Sequence, residues 1–269
     1  MGVLNVTPDS FSDGGQFFDP AKAVARGQEM AAVGAAVIDV GGESTRPGSE
    51  PVTPEEQIRR VVAVIRTLRD RVSAVLSIDT SSAAVAEAAL DAGAHVVNDV
   101  FAGRGDAEML PLAARRGAPI ILMHMQGRPA NMQVNPTYDD VVAQVLAFLK
   151  QRVDVAVSLG VDVGKILVDP GIGFGKTVEH NLELLRRLRE LRSLGRPVVV
   201  GASRKAFIGK ITGEDMSSGR MFGTAATVAW SVTNRADLLR VHEVGPMSQV
   251  VRMIGAIQKA GRPPDFPCD

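Results

Sequence analysis

The side chains able to do chemistry in this sequence recur at one kind of place, at the end of a short β-branched run. Asn5 closes GVLN, Asp39 sits in AVIDV, Asp79 closes VLSID, Asn98 and Asp99 close VVND, His124 follows IILM and Asp169 closes ILVD. Further on, Ser203-Arg204-Lys205 follow VVVGA, and Arg240 and His242 stand two apart in LLRVH. Two carboxylates and an amide at one pocket, Asp79, Asn98 and Asp169, suit a ligand with a row of N–H donors, such as an aminopyrimidinone ring. Arg204, Lys205, Arg240 and His242 suit an anion, and residues two apart on a strand share a face, so Arg240 and His242 can act together. Simpler readings compete. Asp79 precedes Thr80-Ser81-Ser82 and could cap a helix, and His242 could be a satisfied core histidine. Asp169 precedes Pro170 and a glycine-rich turn, which capping explains less well. His124 stays open between function and core, and His95 and His180 read as structural or exposed.

The stretch Asp169-Pro-Gly-Ile-Gly-Phe-Gly-Lys176-Thr177 invites a triphosphate-loop reading but fails on spacing. Four residues must separate the first glycine from Gly-Lys-Thr, and that place holds Pro170. The glycines are read instead as bringing backbone close to a flat ligand, with Phe174 offering a ring face. No His-x-x-x-His, His-Glu-x-x-His or calcium-loop pattern occurs, which leaves Mg²⁺ held mostly by a substrate phosphate as the metal still open.

These residues need elements to position them. Eight β-branched runs recur: Val3–Val6, Ala36–Val40, Ala74–Ile78, His95–Val97, Pro119–Met123, Lys165–Val168, Pro197–Val200 and Leu238–Val241. They alternate with helical segments at Pro20–Gly34, Pro54–Asp70, Ser82–Ala92, Asp106–Arg116, Tyr138–Leu159, His180–Leu194, Ser218–Thr233 and Pro246–Ala260. Most runs are continuously apolar, as strands covered on both faces are. With no break in composition, the pattern predicts a single (β/α)₈ barrel over residues 1–269 rather than an open doubly wound sheet, because polar strand ends converge on one face of a barrel. The connections Thr7–Phe18 and Gly41–Thr53 are unusually long and read as mobile lids.

Composition narrows the partners. The 269 residues carry 30 Lys and Arg against 30 Asp and Glu, so no basic excess invites nucleic acid or an anionic membrane surface. The one cysteine, Cys268, allows neither an internal disulfide nor a cysteine zinc site, which fits a reducing cytoplasm. No signal peptide or run of eighteen apolar residues is seen, and Val6 stands where myristoylation wants Ser or Thr.

The chain resembles the dihydropteroate synthases through MGVLNVTPDSFSDGG at residues 1–15, IDVGGESTRPG at 38–48, SIDT at 77–80, NDV at 98–100, DPGIGFGKT at 169–177, GASRK with FIG at 201–209 and LRVHEV at 239–244. The resemblance implies condensation of 7,8-dihydropterin-6-ylmethyl pyrophosphate with p-aminobenzoate, with Mg²⁺ and in a homodimer. It further implies a pterin site of Asp79, Asn98, Asp169 and Lys205 with Met123, Gly201 and Phe174 around the ring. Asn5, Thr45, Arg46, Arg240 and His242 are implied at the pyrophosphate, Asn5 also at Mg²⁺. Ser203, Phe11 and Pro47 are implied at p-aminobenzoate. Lys205, Asp79, Arg240 and His242 are the residues it makes catalytic. Members of the family usually carry residues ahead of the first strand that help close the lower end of the barrel, whereas Met1 here stands almost on it. The stretch 127–137 reads as a loop without an assigned role. Two other readings are a pterin-dependent methyltransferase barrel, which would lack the pyrophosphate and p-aminobenzoate residues, and a silent paralogue that only binds pterin.

Overall fold

A computed structural model describes residues 1–7, 19–43, 52–128 and 131–260. Helices follow strands in the expected alternation: β1 (Gly2–Asn5), α1 (Pro20–Ala32), β2 (Val37–Gly41), α2 (Pro54–Arg69), β3 (Val75–Asp79), α3 (Ala83–Ala92), β4 (Val96–Asp99), α4 (Met109–Arg116) and β5 (Ile120–Met123). The second half continues with α5 (Val141–Ser158), β6 (Ile166–Asp169), α6 (Val178–Arg186), β7 (Val199–Val200), α7 (Ala206–Thr212), α8 (Met221–Thr233), β8 (Leu238–Leu239) and α9 (Val244–Lys259). Local chemistry sets the starts. The Thr53 hydroxyl accepts from Glu56 N ahead of Pro54, Asp19 accepts from Ala21 N ahead of Pro20, and Asp140 accepts from Val142 N and Ala143 N.

β1 to β6 pair in parallel, each with the next, and β7 pairs in parallel with β8. Single bridges join the two sheets at both seams, Val168 with Val198 and Gly2 with Val241. Backbone bonds span the same seams, Val168 N to Pro197 O at 3.0 Å and Val3 N to Val241 O at 3.0 Å. The eight parallel strands thus form the expected (β/α)₈ barrel, with thinner pairing around β7 and β8.

Strand alternation divides the side chains. Leu4, Ile38, Val40, Leu76, Ile78 and Val97 pack outward into the layer of helices. Met1, Ile121 and Val199 form a separate buried cluster with Val37, Val96, Leu167 and Leu238. Met1 stands just before β1 and the others come from the starts or middles of their strands, so the cluster fills the lower end of the barrel.

Two elements differ from the sequence reading. The stretch after Lys205 holds a short helix, α7, where no helix was expected. The single helix expected over His180–Leu194 is α6 followed by a 3₁₀ segment over Leu188–Leu194. The expected lids over Thr7–Phe18 and Gly41–Thr53 fall mostly outside the described residues.

Candidate active site

At the upper end of the barrel a guanidinium is held between two carboxylates. Arg240, just past β8, donates from Nε to Asp39 Oδ2 at 2.7 Å and from a terminal nitrogen to Asp79 Oδ2 at 2.6 Å. Asn98 Nδ2 donates to the same Asp39 oxygen at 3.0 Å. β2, β3, β4 and the end of β8 are thereby tied together by side chains, because each residue projects into the barrel from its strand. Burial opposes the charge on Arg240, but Asp39 and Asp79 outweigh it and hold the guanidinium above its ordinary value. Burial pushes the Asp79 carboxyl up to about 7 against the pull of Arg240, and lifts Asp169 to about 6.

Above this cluster lies a cavity of about 780 Å³, bordered by Asn5, Asp79, Phe174, Gly201, Ser203, Lys205, Arg240 and His242 among others. That volume suits a small-molecule ligand. The Lys205 ammonium sits 3.8 Å from the centre of the Phe174 ring, a cation held over an aromatic face. Ser203 Oγ lies 3.1 Å from His242 Nδ1 and accepts from the His242 amide at 3.2 Å. Asn98, Met123 and Asp169 are buried and do not border the cavity as it stands. Met123 packs in an apolar cluster with Val100, Met125, Met132 and Phe174. Asp169 Oδ1 accepts from Gly171 N at 2.7 Å.

Arg204 separates two of these groups and has a positive φ of 61°, uncommon for a residue with a side chain. Its amide donates to Thr224 Oγ1 at 3.2 Å, its carbonyl accepts from Arg220 at 3.0 Å, and its guanidinium pairs with Glu243. The surrounding bonds thus hold a turn that brings both Ser203 and Lys205 to the cavity wall. Arg204 was read as an anion-binding cation; its side chain pairs with Glu243 and the residue also borders the cavity.

Phe11, Thr45, Arg46 and Pro47 lie outside the described residues. Asp39 was noted among the polar strand residues but, like Lys176, was given no role in the site. Asp39 is the middle residue of β2, and the available signal was a carboxylate inside the apolar run AVIDV. The open question over His124 is settled by its partner, since Nδ1 lies 3.0 Å from Lys176 Nζ. Burial, then Lys176 and Arg104, push the imidazole down to about 2, so it is neutral and cannot serve as an acid near neutral pH. Among the described residues, no three His, Cys, Asp or Glu side chains converge to hold a metal ion.

Against known proteins, residues 1–242 match the family model described as pterin binding enzyme. The dihydropteroate synthase of Synechocystis is 45% identical over 257 residues, covering 96% of this chain and 89% of that protein. Among solved structures, the dihydropteroate synthase of Xanthomonas albilineans with 4-aminobenzoic acid superposes with a TM-score of 0.91 at 43% identity, covering 97% of this chain and 93% of that one. The same organism's enzyme in complex with 7,8-dihydropteroate gives 0.87 at 40% identity, again covering 97% and 93%.

The raised carboxyls have a consequence for stability. A carboxyl whose pKa rises on folding leaves the folded state holding more protons than the unfolded one. Its stabilising contribution is full below 3.8 and is lost as pH rises through about 7 for Asp79. Asp79→Asn removes that loss. Its unfolding free energy relative to the wild type should improve by up to about 1.4 kcal/mol per pH unit across this window. Urea unfolding of both proteins at a series of pH values reads the slope, and a slope of opposite sign would mean that pairing with Arg240 outweighs burial.

Proposed function

The chain belongs to the pterin-binding enzymes, among the dihydropteroate synthases, and we infer that its cavity joins 7,8-dihydropterin-6-ylmethyl pyrophosphate to p-aminobenzoate. The products are 7,8-dihydropteroate and pyrophosphate, which makes the protein a transferase of folate biosynthesis. The observation that carries this reading is that the buried Asp79 carboxyl, a Phe174 ring face under Lys205, and the Arg240–His242 end of β8 border one cavity, with Asn98 and Asp169 buried behind it.

In this reading Asp169 accepts from the ring amino group and the neighbouring N–H, Asp79 and Asn98 complete the acceptor edge, and Lys205 donates to ring acceptors. Met123, Gly201 and Phe174 form the slot around the ring. Asn5, Arg240 and His242, with Thr45 and Arg46, face the pyrophosphate. Ser203, Phe11 and Pro47 face p-aminobenzoate.

As the exocyclic carbon–oxygen bond breaks, its electron pair leaves with pyrophosphate, where Arg240 and His242 meet the developing charge. The electron-rich dihydropterin stabilises the carbon, the arylamine nitrogen then bonds to it, and the amine loses a proton to solvent. No side-chain nucleophile is needed. Asn5 offers an amide oxygen at the cavity edge while Asp39 and Asp79 are taken by Arg240, a donor set that fits Mg²⁺ carried mainly by phosphate oxygens. When bound, that ion supplies charge neutralisation on the leaving pyrophosphate.

We assign a homodimer through the C-terminal helices. α8 and α9 pack side by side, and Phe222 is 81% exposed, with Met253 and Ile257 exposed on α9. Such side chains are costly to leave in water and suit an interface core. No helix among the described residues is long and apolar enough to cross a membrane. The lone Cys268 is consistent with the cytoplasm.

Purified protein given dihydropterin pyrophosphate and Mg²⁺ should release pyrophosphate only when p-aminobenzoate is present, with dihydropteroate formed. Binding without product would favour a silent paralogue. Lys205→Ala should lower kcat/KM about 100-fold or more, as loss of a charge-stabilising donor does, and full activity would remove Lys205 from its role. Deuterium at the exocyclic methylene should give a normal secondary isotope effect, while a value near unity would point to concerted displacement by the amine. Analytical ultracentrifugation should show a dimer that Phe222→Asp converts to monomer, and an unchanged sedimentation coefficient would place the interface elsewhere.

A further inference from the structure

Lys176 is the one residue of the glycine-rich turn whose charge the reaction does not use. It borders the cavity yet is only 3% exposed. Its ammonium donates to Gly171 O at 2.9 Å and to Phe174 O at 2.9 Å, and lies 3.0 Å from His124 Nδ1. An ammonium has three protons, and three acceptors are met, so none is left for a ligand. His124, being neutral, serves as acceptor through Nδ1, which places its own proton on Nε2.

The backbone of the turn is shaped to bring those carbonyls inward. Gly171 and Gly175 take positive φ of 67° and 62°. A Cβ at Gly171 would stand 1.8 Å from His124 O, and one at Gly175 would stand 2.4 Å from Gln126 O. Three further polar groups of the turn are tied from outside. Gly173 N donates to Asn181 Oδ1 at 2.6 Å, Gly173 O accepts from Gln133 at 2.7 Å, and Gly175 O accepts from the Tyr138 hydroxyl at 2.7 Å. Among the described residues, the Lys176 ammonium is the one group that binds both Gly171 and Phe174 and also His124, the residue after β5.

We propose that Lys176 is a positioning residue of the ring pocket, an internal cation around which residues 171–174 are wound so that Phe174 faces Lys205 and the Gly171 amide stays on Asp169. Burial lowers this lysine to about 7, and Asp169 is the group that counters the loss of charge, while Lys205 adds to it. Asp169 in turn draws on Lys176 as one of the cations that favour its ionised form. The consequence for the substrate rests on the pterin reading above; the winding of the turn does not.

The test therefore has a readout for each. In ligand-free Lys176→Met, amides of residues 171–174 should exchange with deuterium about tenfold faster or more, with strands β2 to β4 unchanged. In steady-state assays of the same variant, KM for dihydropterin pyrophosphate should rise about tenfold or more while KM for p-aminobenzoate changes less than about twofold. His124→Phe removes one acceptor and keeps both carbonyl contacts, and should show the same pattern at smaller size, which guards against a Lys176→Met protein that does not fold. Unchanged exchange in the turn, or faster exchange spread over the whole barrel in both variants, overturns the proposal. So does a fall in kcat with unchanged exchange, which would put the ammonium on the substrate. A wild type that never turns over the pterin overturns the functional reading instead, and the exchange data still decide the role of Lys176.

Discussion

The upper end of this barrel depends on charges placed where water cannot stabilise them. Asp39, Asp79, Asp169 and Lys176 are buried and the Arg240 side chain is mostly so, and each is tolerable only because an opposite charge or a set of dipoles meets it. Removing any one leaves its partner exposed to the full desolvation cost, about 3–5 kcal/mol for a broken buried pair. The cluster therefore acts as a unit. Arg240 joins β8 to β2 and β3, Asn98 brings in β4, and the Asp169–Gly171 contact extends the network to the turn after β6. Strands joined only by short ladders around β7 and β8 gain side-chain ties beside the cavity.

Such a cluster requires the barrel, and the barrel in turn requires the alternation of its strands. In β2, Ile38 and Val40 pack against helices while Asp39 between them turns to the interior. The same two-residue period sets Leu76 and Ile78 outward and Asp79 inward on β3. A slip of one residue in either strand would bury three carboxylate or apolar groups on the wrong face at once. The apolar lower layer around Met1, Ile121 and Val199 and the ionic upper layer are two products of one pattern, the first closing the barrel and the second equipping it.

That pattern is why so much was legible. Eight apolar runs ending in polar residues carry both the fold and the identity of the site, because strand ends in a parallel barrel have nowhere to converge except one face. What stayed hidden is what depends on chain reversals in three dimensions. Nothing in AFIGKIT marks α7 as a helix, since Gly209 sits in its middle and no side chain caps its start. Asp39 reads as a strand residue until Arg240, 201 positions away in sequence, is seen against it. Lys176 looked like part of a failed phosphate loop, and only the fold reveals that its partners are the carbonyls of its own turn. The positive φ of Arg204 has no sequence signature at all, because Thr224, Arg220 and Glu243 impose it from three other places.

On the pterin reading proposed above, the same arrangement accounts for selectivity. Asp79 borders the cavity and Asp169 and Asn98 lie buried behind it, and a ring that reaches them with matching N–H donors satisfies groups that water reaches badly. A ring of equal size and shape but with fewer donors would leave a carboxylate oxygen buried and unmet, a penalty of about 1–3 kcal/mol per group and more where charge is involved. Shape alone, through Phe174 and Met123, discriminates weakly among flat rings, since extra or missing carbons cost little. Discrimination by unmet acceptors is steeper, and it needs the acceptors rigid, because a carboxylate free to swing away would find water or a neighbouring amide instead. Asp79 is held by Arg240 and Asp169 by the Gly171 amide, so neither has that escape. On that reading, selectivity for the ring is a property of the ties behind the pocket as much as of the atoms that face it.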